Sequence, residues 1–267
     1  MFIFNCKFSV NESSTDRFIS DSECLPNGLV IVACYNLLGT QFEVMAFSVI
    51  GEKTHVMRLE KYPKRMVVVD QNTVAVFLIN NSVAIVDIQQ NHVKYLRDIA
   101  KNQSLGSFIC IENQFYVGDE LGITVIDMSG DINRRIKLSF VPHEMCYDVN
   151  SQRVYCINSD YSKLIGIDRD GTIIFTFADP NWTKLKSLTI DNDGNVLVLR
   201  TNAVHDLGSV IKVDSNGKTS DVVITNIQLS EFNLNSCICF HHSTNSVVIG
   251  VHSTVYIYKK KMKSVNI

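Results

Sequence analysis

Short β-branched runs separated by polar turns recur along this chain in groups of four, and that recurrence restricts the fold more than any other feature. The clearest group has runs at 65–70, 73–79, 82–88 and 92–99. The last of these also fits helical spacing through Val93, Leu96 and Ile99, and only the repeat decides for a strand. Comparable groups occupy 145–177 and 187–224, a third covers 108–138, and another covers about 18–58. The final group supplies three runs, at 236–240, 246–250 and 254–258. The first-run ends Asp21, Asp70, Ile111, Val149, Asp191 and Phe240 lie 49, 41, 38, 42 and 49 residues apart, a mean of about 44. That is the size of a four-stranded propeller blade. The sequence therefore predicts an all-β, six-bladed β-propeller of four-stranded antiparallel blades, as a single domain over residues 1–267.

The punctuation agrees. Asp170-Gly171, Asp193-Gly194 and Asn216-Gly217 fall between runs, where a residue tolerant of positive φ is needed. Pro63, Pro142 and Pro180 fall between groups, where no ladder hydrogen bond is lost. Residues 1–10 read as a strand that belongs to no group. They are expected to complete the last blade, closing the ring and covering an edge that would otherwise invite aggregation.

Composition narrows the function. With 46% hydrophobic residues the chain is not disordered, and a net charge of -2 gives no general electrostatic attraction to nucleic acid or membrane surfaces. No run reaches 18 apolar residues, and the start lacks the pattern of a signal peptide. The expected location is cytoplasmic, without a membrane partner. The eight cysteines include no C-x-x-C pair and are expected to be reduced and metal-free. Cys237 and Cys239, two apart in an apolar run, would share one face of a strand. His143-Glu144 begins an H-E-x-x-H pattern that fails, because position 147 is Tyr. His241-His242 reads as an exposed turn.

The segment 188–198 places an Asp-rich glycine turn between two apolar strands, and the next strand ends in Val213-Asp214-Ser215-Asn216-Gly217. Together with 25–36 and 150–155 this resembles the NHL repeat. The whole chain is similar to the six-bladed NHL propeller at the C-terminus of tripartite-motif (TRIM) proteins, especially the invertebrate TRIM-like families. There is no Trp-Asp signature and no Gly-Gly pair. TRIM proteins also carry a RING finger, B-box zinc sites and a coiled coil, and neither paired Cys/His ligands nor heptads occur in this sequence. The resemblance thus implies a non-catalytic module that recognises a protein partner or ligase substrate, in the manner of a TRIM-like ubiquitin-ligase family protein lacking RING and B-box. No cofactor and no metal is expected.

Two alternatives stand beside this reading. Some relatives in the resembled family bind RNA on one propeller face, which needs a basic surface with accessible aromatics. The basic clusters here are Arg134-Arg135, expected on an outer strand or turn, and 259–261 with Lys263, expected in a solvated tail. Asp119, Glu120, Glu144, Asp160 and Asp206 would dilute a basic field on the connector face. The second alternative is a calcium-dependent lactonase-like hydrolase. The loop 191–195 resembles a calcium loop, but glycine stands fourth and position twelve is Asn202, so it reads as a hairpin turn. The expected binding surface is the face that gathers the connectors between blades and the loops between second and third strands. Its candidate residues are Tyr35, Tyr62, Asn80, His143, Tyr161, Trp182, His205 and Phe232. Tyr and Trp offer contact area with little rotamer entropy to lose, and Trp182 is the leading anchor.

Overall fold

The computed structural model describes residues 1–11, 16–96, 106–179, 184–201, 207–229 and 236–261. The chain begins with β1 (Phe2–Ser9). The first blade follows as β2 (Arg17–Cys24), β3 (Val30–Asn36), β4 (Phe42–Phe47) and β5 (Lys53–Leu59). The second is β6 (Pro63–Val68), β7 (Thr73–Leu78), β8 (Val83–Asp87) and β9 (His92–Leu96). The third is β10 (Phe108–Ile111), β11 (Gln114–Asp119), β12 (Gly122–Asp127) and β13 (Ile132–Lys137). The fourth is β14 (Pro142–Asp148), β15 (Arg153–Asn158), β16 (Lys163–Ile167) and β17 (Ile173–Ala178). The fifth is β18 (Leu185–Ile190), β19 (Val196–Thr201), β20 (Leu207–Val213) and β21 (Ser220–Gln228). The sixth is β22 (Ser236–His241), β23 (Ser246–Val251) and β24 (Thr254–Lys260), with β1 as its outermost strand. Every sheet has four antiparallel strands, so the fold is the six-bladed propeller the repeat predicts. Among the described residues there is no helix, and hence none long and apolar enough to cross a membrane.

Closure of the ring follows the expected route. β1 pairs with β24 from Phe2↔Lys260 to Ser9↔Thr254, with a bulge between Phe4 and Cys6. The pairing is anchored by Phe2, which is 5% exposed and lies edge-on to Phe240 at 6.4 Å. Val10 N–H donates to the Ser253 carbonyl at 2.9 Å and continues the β1–β24 pairing, while blade 6 meets blade 1 through Ile19 N–H donating to the His252 carbonyl at 2.6 Å.

The apolar cores lie between neighbouring blades. One cluster joins Ile31 and Val44 of blade 1 to Val74 and Val86 of blade 2, and another joins Val30 and Met45 to Cys239 and Val248 of blade 6. Middle strands are buried on both faces, which is why their sequences are almost continuous Val, Ile and Leu. Outer strands alternate or are largely exposed.

Strand direction fixes two unlike faces. One carries the connectors between blades and the second-to-third-strand loops, and is called the connector face. The other carries the hairpins. There an aspartate repeatedly caps its own turn. Asp127 Oδ1 accepts from the Ser129 and Asp131 N–H, Asp168 from Asp170 and Thr172, Asp191 from Asp193 and Asn195, and Asp214 from Lys218 and Thr219. The Asp191 carboxylate is thus occupied by its own loop. Positive φ falls on the glycine of each turn (Gly171 at 91°, Gly194 at 76°, Gly217 at 67°), while the preceding Asp or Asn keeps negative φ. Pro63 and Pro142 are the first residues of innermost strands rather than connector residues, a position where no ladder donor is missing. Pro180 lies outside the described residues.

Three sequence expectations are corrected. His241 is not in an exposed turn. It ends β22 at 1% exposure, with Nε2 3.1 Å from the Gly28 carbonyl and Nδ1 2.9 Å from the Thr244 hydroxyl, and so ties blade 6 to blade 1. Lys259 and Lys260 are not in a solvated tail. They lie in β24, and Lys260 pairs with Asp193 and approaches Asp191 at 3.9 Å. Asp21 does not end the first strand, because β2 continues to Cys24. Arg134 and Arg135 do stand on the outer strand β13.

Candidate functional site: the connector face and the channel mouth

Five of the eight sequence-predicted residues fall within the described part, and all five lie on the connector face. Tyr35 ends β3 and Tyr62 precedes β6, with their rings 4.6 Å apart. Phe18 stacks on Tyr35 at 5.6 Å, and Phe42 stands edge-on to Tyr62 at 6.2 Å. His252 of blade 6 adds a fifth ring, 4.5 Å from Phe18. These rings are half-buried, except for exposed His252, and they brace blades 6, 1 and 2 against one another. Asn80 is exposed and accepts a hydrogen bond from the Ser82 hydroxyl at 2.7 Å. Trp182, His205 and Phe232 lie outside the described residues.

His143, the second residue of β14, and Tyr161 meet on the connector face. Tyr161 sits in the β15–β16 loop with φ at 58°, a conformation rarely adopted by a bulky side chain. The matching loops use Gly39 at 64° and Asn81 at 57°. Here the tyrosine's hydroxyl lies 2.7 Å from His143 Nε2, and its carbonyl accepts from the Leu185 N–H of the next blade at 3.0 Å. His143 Nδ1 faces Glu144 Oε1 at 3.8 Å. At that distance Nδ1 is buried without a hydrogen-bond partner among the described residues, and the Tyr161 hydroxyl and Nε2 share the one hydrogen bond of the ring.

Behind this pair is a charged group that the sequence reading missed. The innermost strands line a cavity of about 300 Å³ whose wall includes Asp21, Glu23, Arg65 and Glu144. Arg65 is ion-paired with Glu144. Asp21 accepts from the Ser22 N–H at 2.9 Å and the Met66 N–H at 2.7 Å. Burial raises the Asp21 pKa despite Arg65, and it raises Glu23 well above the carboxylate range, with the neighbouring Asp21 charge adding to it. Burial pushes Glu144 up to about 7 against the pull of Arg65. Burial also works against the Arg65 charge, but Glu144 and Asp21 outweigh it and raise that pKa. For His143, burial and then the positive charges of Arg65 and Lys186 pull the pKa down to about 4. The imidazole is therefore neutral at pH 7. Glu144 belongs to this buried group and does not dilute an exposed field. Asp119 is also buried, accepting from the Thr124 hydroxyl at 2.6 Å. Among the described residues no cluster of three or more His, Cys, Asp or Glu could hold a metal ion.

The second feature missed in the sequence is apolar. Leu37 and Leu38 in the β3–β4 loop are 69% and 81% exposed, Ile79 in the β7–β8 loop 55%, and Leu121 in the β11–β12 loop 64%. Three consecutive blades thus hold large apolar side chains out on the connector face. Among the described residues the hairpin loops expose Ile50 and Val149, in blades 1 and 4, and Ile132 and Ile173 are exposed where the outer strands of blades 3 and 4 begin. The signal was partly readable: Leu37, Leu38 and Leu121 interrupt polar turns, as in Asn36-Leu37-Leu38-Gly39, whereas Ile79 reads as the end of the apolar run 73–79.

Comparison with known proteins places the architecture. No family model and no curated protein sequence matches the chain. Solved structures do match. A protein of unknown function from Bacteroides thetaiotaomicron superimposes with a TM-score of 0.73 at 12% identity, over 97% of this chain and 73% of that one. The β-propeller domain of Cps50 (Swd1) from Myceliophteria thermophila gives 0.61 at 12% identity, over 91% and 84% of the two chains. A streptogramin B lyase gives 0.64 at 10% identity, over 95% and 97%. The likeness is one of fold.

Proposed function

We propose that the chain is a non-catalytic protein-interaction propeller that docks its partner on the connector face. The observation that carries this reading is the exposed series Leu37, Leu38, Ile79 and Leu121 on consecutive blades. We take the series as one docking surface, because exposed apolar groupings on a rigid scaffold mark protein-binding sites and binding residues concentrate on loops. The half-buried Tyr35 and Tyr62 add aromatic area beside it. The more specific role, partner or substrate recognition in a TRIM-like ubiquitin-ligase family protein, rests on the NHL-like segments 25–36, 150–155 and 188–218.

The RNA-binding alternative is weakened where its residues are already engaged. Arg134 contacts Asp170 at 3.0 Å and the Tyr116 hydroxyl at 3.1 Å, and Lys260 is held by Asp193. A catalytic reading has one arrangement in its favour, the Tyr161–His143–Glu144 chain. In our reading this chain braces the blade 4 loop, so Tyr161→Phe should leave partner affinity intact.

The test is a screen for a protein partner, followed by affinities for it and for single-stranded RNA across a salt series. A Leu38→Asp/Leu121→Asp variant should lose about 1–3 kcal/mol of partner affinity, with a shallow salt slope. A Lys259/Lys260/Lys261 triple alanine variant should change it little. Tight RNA binding that falls steeply with salt and is lost in the lysine variant would overturn the proposal.

A further inference from the structure

We propose that Cys24 and Cys239 are a disulfide-forming pair that locks the propeller ring covalently at its seam. Cys24 ends β2, the innermost strand of blade 1, and Cys239 stands in β22, the innermost strand of blade 6. Their sulfurs are 3.3 Å apart although the residues are separated by 215 positions. A disulfide needs about 2.05 Å, so the sulfurs must close by roughly 1.3 Å, within the reach of rotamer adjustment. The pairing is selective. One step along the same two strands, Cys237 faces the Ser22 hydroxyl at 3.1 Å, so the neighbouring rung offers oxygen rather than a second sulfur. Cys34 and Cys156 are fully buried at 0% exposure in middle strands, and Cys156 is close enough to Cys146 of the neighbouring strand β14 to add to burial in raising the Cys146 pKa, without the sulfur-to-sulfur contact that Cys24 and Cys239 make.

The site also has an entry. Cys24 lines the central cavity and is 9% exposed, whereas Cys239 is 2% exposed behind it. A small peroxide can reach Cys24 through the channel. The Cys24 thiolate attacks one peroxide oxygen, the O–O bond breaks, and hydroxide leaves with Cys24 as its sulfenic acid. The Cys239 thiolate then attacks the Cys24 sulfur, the S–S bond forms and a second hydroxide leaves. The two protons given up by the thiols convert both hydroxides to water. The sulfur pair loses two electrons and hydrogen peroxide gains them. Burial keeps the Cys239 thiol protonated, with Cys24 beside it adding to the effect, so locking is slow at neutral pH and speeds up as pH rises. The link spans the junction of blades 6 and 1, which is otherwise held by non-covalent contacts such as His241 to the Gly28 carbonyl and Ile19 N–H to the His252 carbonyl. A cross-link over so long a stretch of chain removes much freedom from the unfolded state.

The experiment uses the whole chain, treated with hydrogen peroxide and then unfolded. Free thiols are counted before and after dithiothreitol, and cross-linked peptides are mapped by tandem mass spectrometry. The expected result is a fall from eight alkylable thiols to six, restored by dithiothreitol, with Cys24 joined to Cys239 and melting raised by roughly 5–15 °C in the oxidised form. Cys24→Ser should keep its seven thiols, Cys239→Ser should lose no more than one, as a Cys24 sulfenic acid without a cross-link, and Cys237→Ser should still lose two. Eight surviving thiols, a loss that dithiothreitol does not restore, or a cross-link between other cysteines would overturn the proposal. The wild-type map stands even if a serine variant fails to fold.

Discussion

At the scale of single residues, the most informative are those the fold holds against their ordinary chemistry. Glu144, normally near 4.5, is pushed up to about 7, and His143, normally near 6.5, is pulled down to about 4. Their effects on stability have opposite signs. Between pH 4.5 and 7 the unfolded Glu144 has lost its proton and the folded one keeps it, so stability falls as pH rises. Between pH 4 and 6.5 the unfolded His143 is protonated and the folded one is not, so stability rises with pH. The two oppose each other across the shared window. Asp21 and Glu23, also raised, tilt the same way as Glu144 in any variant of the pair. His143→Gln should therefore show stability falling more steeply between pH 4.5 and 6.5 than wild type, and Glu144→Gln should fall less or rise. Denaturant midpoints across that range would show it, and the reverse ordering would refute the assignment. Separately, Tyr161→Phe should cost about 0.5–1.5 kcal/mol, the value of one hydrogen bond, measured by the same unfolding. None of this was legible in the sequence beyond the presence of His143 and Tyr161. A charge inside a β-branched run, such as Arg65 before Met-Val-Val, signals an unusual strand, but its partner is 79 residues away and only the ring brings them together.

At the scale of elements, β1 tests the architecture. Phe2→Ala should cost about 3–5 kcal/mol, because the ring is buried between blade 6 strands and the blade 5 core. Phe4→Ala should cost about 1 kcal/mol or less, since that ring is 55% exposed and only edges Tyr258. Equal losses at both positions would contradict the closure. Gly118 tests the contact between blades 3 and 4. A Cβ there would stand 2.7 Å from the Pro142 carbonyl oxygen and closer still to the Ser107 hydroxyl, both parts of a packed junction. Gly118→Ala should lower stability by about 1–3 kcal/mol. Strands were the most readable level of the sequence, because middle strands buried on both faces must be written in Val, Ile and Leu. The spare strand at 1–10 was readable for the same reason: a sixth group with three runs has an unpaired edge. His241 was misread because a His-His pair beside Ser and Thr looks like a turn, whereas one ring fills the seam and satisfies a blade 1 carbonyl.

At the scale of the whole molecule, antiparallel order sorts the loops onto two faces. Turns on both faces are capped by their own side chains, Asp127, Asp168 and Asp214 on the hairpin face and Asn36, Asp119 and Asn158 on the connector face. The connector face differs in presenting large apolar side chains from three consecutive blades. The sequence reading pointed to this face through its aromatics, two of which are engaged in stacking, and passed over the leucines that stand free of the core. Periodicity marks which positions are strand and which are loop. It does not mark which loop residue points into solvent, because that depends on the tilt of the neighbouring blade. The measurement that tests the central claim most directly is backbone hydrogen exchange of the chain alone and with its protein partner bound. The account predicts added protection in the loops 36–41, 78–82 and 119–122, with the hairpins at 127–131, 168–172 and 214–219 unchanged. Protection confined to those hairpins, with the connector-face loops unaltered, would contradict it.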